Sequence, residues 1–112
     1  MFDLLPVRFW SDSRDALRSF PELARRRAGR QLQMVQRGFE PADWKPMTSV
    51  GPGVREIRVR DDTGVFRLLY VTKIAGRVFV LHCFQKKTQK TNPADIELAK
   101  RRYKEVQREY SK

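Results

Sequence analysis

The 112-residue chain contains one cysteine, Cys83, and one histidine, His82. A single cysteine cannot form an internal disulfide, which agrees with a reducing compartment such as the cytoplasm. A single histidine excludes ribonucleases that use a pair of histidines as acid and base. Because neighbouring strand residues point to opposite faces, Cys83 beside His82 is no nucleophile signature, and we predict Cys83 to be buried and inert.

Long apolar runs are also missing from the sequence. No run approaches the roughly 20 residues that a membrane-spanning helix needs. The N-terminus has no basic segment followed by a long apolar one, so we expect no signal peptide, a cytoplasmic location and no membrane partner. Carboxylates are scattered, and Asp61-Asp62 reads as part of a turn. We therefore expect no metal and no cofactor, and a two-metal nuclease is poorly supported.

Positive charge is what the chain has in excess. Twenty-four Lys and Arg against thirteen Asp and Glu give a net charge of +11 and a pI near 10.5. Such a protein attracts polyanions, and nucleic acid, an acidic protein or an anionic membrane would each satisfy it. A basic amphipathic segment with aromatic anchors is missing, so the membrane is the weakest of the three.

Length and periodicity predict a single α+β domain over residues 1–112. We expect two N-terminal helices, a twisted antiparallel sheet of about four strands and a C-terminal helix. Ser19 and Glu22 have capping-box spacing for the second helix, and Asn92-Pro93 opens the last one. Trp44–Met47 is predicted as a loop with Trp44 against the core. The predicted strands are Val7–Trp10, Val54–Arg60, Val65–Lys73 and Arg77–Gln85.

Both longer helices have an apolar stripe. The second helix repeats Leu23, Ala24, Ala28, Leu32 and Val35, and the last repeats Ile96, Ala99, Tyr103, Val106 and Tyr110. We expect the last stripe to dock on the sheet or on the second helix. The outer face of the second helix carries Arg25, Arg26, Arg27, Arg30 and Arg37. We interpret these arginines as a solvated surface, with direct RNA contact as the alternative.

The three central strands concentrate the charge. Residues 54–90 hold nine Lys or Arg against three Asp or Glu, a net charge of +6. Arg67 interrupts an apolar row, and a half-buried arginine needs an anionic partner. That partner is either Glu56 on the neighbouring strand or a scissile phosphate. His82 likewise has two interpretations: a strand histidine whose ring nitrogens are hydrogen-bonded within the fold, or a catalytic residue.

RNA can be cleaved without a metal by groups that deprotonate the 2′-hydroxyl, stabilise the phosphorane and protonate the leaving oxygen. Arginine suits the second task, and lysine, tyrosine or histidine can serve the others. These residue types occur together in the predicted sheet as Arg58, Arg67, Tyr70, His82, Lys86 and Lys87.

Several motifs together resemble the phage-derived HigB-like branch of the RelE/ParE toxin superfamily. They are Gln36-Arg37-Gly38-Phe39, Asp43-Trp44-Lys45-Pro46-Met47, Gly53–Arg58, Phe66–Tyr70 and Leu81–Thr88, followed by an Ala/Arg-rich final helix. The resemblance implies a small α+β toxin of a type II toxin–antitoxin pair that cleaves mRNA at the ribosome without a metal. It also implies a helix-turn-helix, HigA-like antitoxin as partner.

The resemblance implies that Arg67 stabilises the phosphate, with Arg58, Lys86 and Lys87 as supporting cations or proton-transfer groups. His82 and Tyr70 complete the predicted catalytic set. The predicted RNA-binding residues are Arg55, Arg60, Lys73 and Lys90. Two alternatives stay open: an RNA- or ribosome-binding module that does not cut, and a ParE-like gyrase poison.

Overall fold

The computed structural model describes residues 4–87 and 90–110; Thr88, the last residue of one quoted motif, lies outside them. Three helices and five strands follow one another along this part of the chain. They are β1 (Val7–Phe9), α1 (Ser13–Arg18), α2 (Glu22–Gln36), β2 (Trp44–Pro46), β3 (Val54–Asp61), β4 (Gly64–Ile74), β5 (Arg77–Lys86) and α3 (Pro93–Tyr110). The predicted α+β class and the C-terminal helix are confirmed.

The sheet has five strands in the order β1-β5-β4-β3-β2, so the expected antiparallel sheet of about four strands is corrected in two ways. First, β1 pairs in parallel with β5. Second, Trp44–Pro46, predicted as a loop, is the edge strand β2 and pairs with β3. Proline is compatible with an edge because only one side of the strand must supply hydrogen bonds. The β3-β4-β5 meander and the turn at Asp62-Thr63 match the prediction.

Each face of the sheet has its own apolar core, because side chains alternate along every strand. On one face, α1 and α2 cover a cluster that includes Ile57, Leu68 and Val80. On the other, α3 covers a cluster that includes Leu69 and Phe79. We call these the α2 face and the α3 face.

The packing of the helices follows the predicted stripes with one exception. Ala24, Ala28, Leu32 and Val35 of α2 are buried, whereas Leu23 is 43% exposed. The α3 stripe packs on β4 and β5, which decides between the two surfaces that the sequence left open. Neither helix, nor any other in residues 4–87 and 90–110, is long and apolar enough to cross a membrane.

The predicted helix starts differ in outcome. Pro93 is the first residue of α3, and the Asn92 carboxamide oxygen accepts the Ala94 N–H at 2.8 Å, as expected of a cap. The predicted capping box at Ser19 is wrong. Ser19 instead ends α1, where its hydroxyl donates to the Ala16 carbonyl at 2.6 Å. Since α1 and α2 follow each other so closely, Pro21 occupies the position before the first turn of α2.

Candidate nucleic-acid interface

The register of the meander brings distant charges into adjacent rows on the α3 face. Arg58 lies opposite Arg67, and Arg67 lies opposite Phe84. In the next row outward, Lys86 lies opposite Val65. The first turn of α3 contacts β5 at His82, and its last residue, Tyr110, packs near the start of β5. The part of the sheet that carries Arg67 and Lys86 therefore lies beyond the first turn of α3 and is not covered by that helix.

Arg67 forms an ion pair with Glu56 inside this face. The Glu56 carboxylate is fully buried and Arg67 is only 5% exposed. Arg67 Nη1 bonds Glu56 Oε1, so the salt-bridge alternative raised from the sequence is the one present. The Nε of Arg67 is buried with no hydrogen-bond partner in the described parts of the chain. The guanidinium thus sits beneath the surface with part of its donor capacity unused.

Two further side chains reach the same carboxylate. Lys45 Nζ of β2 lies 3.9 Å from Glu56 Oε1. Thr91 Oγ1, just before α3, donates to Glu56 Oε2 at 3.5 Å. Glu56 is therefore the negative centre around which β2, β4 and the start of α3 are gathered.

Lys86 stands close to these cations. Burial lowers the pKa of its amine below the usual 10.5, and the neighbouring charges of Arg67 and Lys45 lower it further. Arg58 adds a smaller effect in the same direction. We call Lys45, Arg58, Arg67 and Lys86 the cation cluster. Its four positive charges are met by two carboxylates, the buried Glu56 and the Asp43 beside Arg58, so the cluster has unused capacity for an anion.

Arg58 occupies the edge of the cluster. Its guanidinium donates to Asp43 Oδ1 from Nε at 2.9 Å, and its Nη2 lies 2.7 Å from the same oxygen in an ion pair. Its backbone N–H donates to the Asp43 carbonyl at 2.9 Å. These bonds anchor the residue before β2 to β3 and hold the Arg58 side chain at the rim of the sheet.

His82 links β5 to α3. Its Nε2 lies 2.7 Å from Asp95 Oδ1, and its ring stacks on Phe84 with centroids 4.9 Å apart. Its Nδ1 is buried and has no hydrogen-bond partner among the described residues. A register shift in β5 places Leu81 in the core of the α3 face and His82 opposite Leu69. The next residue, Cys83, faces α2; it is buried, as predicted, and burial raises the pKa of its thiol to about 12.

Tyr70 lies apart from the cation cluster, on the α2 face, and is 1% exposed. Burial raises the pKa of its phenol, and the Arg55 guanidinium opposes that shift. Both residues line a cavity of about 370 Å³ with Lys73. Arg55 also lies 4.0 Å over the Trp44 ring. The structure therefore separates Tyr70, Arg55 and Lys73 from the other predicted site residues.

The remaining predicted residues are at the periphery. Arg60, Lys87 and Lys90 are exposed, the first near the end of β3 and the other two between β5 and α3. The described ranges contain no group of three His, Cys, Asp or Glu side chains that could hold a metal ion.

The sequence did not assign Lys45, Asp43 or Asp95 to the site, although the first two belong to a motif quoted above. Lys45 belongs to the segment that was predicted as a loop, and Asp43 directly precedes it; both reach the site because β2 pairs with β3. A short run containing proline gives little signal for a strand. Asp95 follows a predicted cap, which signals a helix start and says nothing about a histidine partner on β5.

One family model agrees with this chain over most of its length. The model described as phage-derived protein Gp49-like (DUF891) matches residues 15–104, which include α2, all three strands of the meander and most of α3. No curated protein matches the chain. The phage-derived character that the motifs implied is thereby confirmed, while the narrower HigB-like assignment stays a prediction.

Proposed function

Because the chain belongs to the phage-derived Gp49-like family, we propose that it is the toxin of a type II toxin–antitoxin pair and cleaves mRNA at the ribosome. The observation that carries this proposal is the cation cluster, with Lys45, Arg58, Arg67 and Lys86 on one face of the sheet. An RNA phosphate is the anion that such a cluster of guanidinium and ammonium groups fits.

The cluster supplies groups for metal-independent cleavage. Arg58 and Arg67 would stabilise the negative charge of the phosphorane, which is the largest contribution that fixed cations make to such a reaction. Lys86 would transfer a proton, since its lowered pKa brings the neutral amine closer to physiological pH. His82 would be the second proton-transfer group, oriented by Asp95.

The proposed partners follow from charge and from the resemblance. A net charge of +11 favours association with ribosomal and messenger RNA. The resemblance supplies the helix-turn-helix antitoxin, whose expected effect is to neutralise the toxin. Both partners and the cytoplasmic location are part of the proposal.

The decisive experiment compares wild type with Lys86→Gln and Arg25→Gln. Each variant removes one positive charge, but Arg25 lies on the exposed outer face of α2, away from the cluster. We expect Lys86→Gln to slow RNA cleavage on ribosomes about 100-fold or more, as loss of a proton-transfer group does, and Arg25→Gln to change it little.

The measurement is mapping of mRNA 5′ ends with detection of 2′,3′-cyclic phosphates. Equal cleavage by the two variants would contradict the proposal, and so would a loss of cleavage on addition of EDTA. Growth arrest with intact mRNA and a DNA-damage response would instead indicate a gyrase poison.

A second candidate function is an RNA- or ribosome-binding module that does not cut. The ion pair between Arg67 and Glu56 favours it, because this arginine already has a buried anionic partner. Purified protein that binds ribosomes and stops translation without producing cyclic-phosphate ends would support this candidate over the nuclease.

A further inference from the structure

A second basic surface lies beside the cation cluster, at the outer edge of β3. A cleft of about 350 Å³ opens there between α2 and the strand. Its charged lining consists of Arg27, Arg30, Arg58, Arg60 and Asp43. We call it the arginine cleft. Four guanidinium groups face one carboxylate.

The cleft exists because β2 is short. The edge strand pairs only with Arg55–Ile57, so the rest of β3 has no strand on its outer side. Arg27 of α2 reaches this edge, where its Nη1 donates to the Arg60 carbonyl. The helix and the uncovered strand edge therefore form the two walls.

The charge in the cleft is not balanced by the protein side chains that line it. Asp43 Oδ1 accepts a hydrogen bond from Arg58 Nε and forms an ion pair with its Nη2, so the single carboxylate is already paired with one arginine. Arg30 is exposed on the α2 wall, and Arg60 is exposed on the strand. Guanidinium groups bind phosphate in a bidentate way and are weakly hydrated, so arginines this dense favour a polyanion over water.

We propose that the arginine cleft binds the phosphates of an RNA strand that continues from the cation cluster around the edge of the sheet. Arg58 belongs to both sites and makes the surface continuous. For Arg27 and Arg30, the sequence favoured a solvated helix face and left direct RNA contact as the alternative; the proposal assigns them to RNA binding. The inference rests on the proposed function for its ligand and adds a second phosphate-binding segment to it.

The test is the salt dependence of RNA affinity. The probe is a single-stranded RNA oligonucleotide long enough to cover both sites, titrated at salt concentrations between about 50 and 200 mM. For Arg27→Ala/Arg30→Ala we expect the slope of log K against log salt to become shallower by about 1.4, the value for two lost phosphate contacts on a single strand. The matched control is Arg25→Ala/Arg37→Ala, which removes two exposed arginines of the α2 region outside the cleft.

An equal decrease in the salt slope in both double variants would overturn the inference, because the decrease would then depend on net charge and not on the position of the arginines. An unchanged slope in Arg27→Ala/Arg30→Ala would overturn it as well. Arg30→Ala alone keeps the Arg27 contact with Arg60 and should shift the slope by about 0.7, which keeps the test valid if the double variant unfolds.

The failure of the two proposals can be told apart. If RNA is bound with the expected salt dependence but is never cut, the proposed nuclease activity is contradicted and the proposed RNA-binding role of the arginine cleft is supported. If the cleft variants cleave RNA normally and their salt slopes are unchanged, the nuclease activity is supported and the role of the arginine cleft is contradicted.

Discussion

At the scale of single residues, the most informative one is Arg67. Its position in an apolar row predicts that it needs an anion, and Glu56 is that anion in the structure. Both side chains are almost completely buried, so water cannot solvate either charge if the other is removed. The ion pair holds the Arg67 guanidinium in place within the cation cluster, whichever ligand the cluster binds.

Removing one partner of this pair should cost much more than removing both. We expect Arg67→Met to lower the free energy of unfolding by about 3–5 kcal/mol, because a buried carboxylate loses its closest cation. Arg67→Met/Glu56→Leu should recover most of that loss, since neither charge then remains buried without its partner. Urea unfolding of the wild type and the two variants measures the difference.

The control is Arg26→Met, which removes an exposed arginine that lies 3.4 Å from Glu22 on the surface of α2. Such exposed pairs contribute about 0–1 kcal/mol, so this variant should remain close to wild type. A double variant less stable than Arg67→Met would show that the ion pair is not what the fold requires at this position.

At the scale of elements, α3 packs closely against the connection before β3. Gly51 is buried, and a Cβ there would lie 2.5 Å from Tyr103 Cε2 and 2.6 Å from Cδ2. The Tyr103 hydroxyl donates to the Pro52 carbonyl at 2.9 Å. Glycine at position 51 therefore lets the ring of α3 rest directly on the backbone.

Gly51→Ala should displace Tyr103 and destabilise the protein by about 1–3 kcal/mol, the usual cost of overpacking a core. Thermal unfolding measures the loss, and the Tyr103 hydrogen bond to Pro52 should be lost with it.

Gly29→Ala is the matched control. Gly29 lies inside α2, and a Cβ there meets nothing within 4 Å. Because alanine favours a helix by up to about 1 kcal/mol over glycine, this variant should be at least as stable as wild type. If Gly51→Ala and Gly29→Ala change the stability equally, the packing of Tyr103 does not depend on the absence of a side chain at Gly51.

At the scale of the whole molecule, the net charge of +11 works against compactness. The radius of gyration is 13.2 Å. At an ionic strength of about 0.01 M the screening length is about 30 Å, so every positive charge repels the others across the molecule. At about 0.15 M it falls to about 8 Å and only near neighbours interact.

We therefore expect the melting temperature to rise between these two salt concentrations. Sodium sulfate at the same ionic strength should raise it more than sodium chloride, because a divalent anion can bind the arginine-rich surfaces. Differential scanning calorimetry measures both effects. A melting temperature that falls with added chloride would show that ion pairs outweigh repulsion in this fold.

The sequence by itself determined α2, α3 and the three strands of the meander, together with the faces that they bury. The apolar periodicity of α2 and α3, the alternation in the meander and the turn residues are local features, and each correctly predicted an element close to its observed bounds. The burial of Cys83 and the need of Arg67 for an anion also followed from alternation alone.

Only the tertiary structure decided which charges meet. Lys45 and Thr91 approach Glu56, and Asp95 approaches His82. Such contacts join residues far apart in the chain, so they depend on strand register and on how α3 docks. An ion pair is set by distance in space, and charge patterns along a chain contain no measure of that distance.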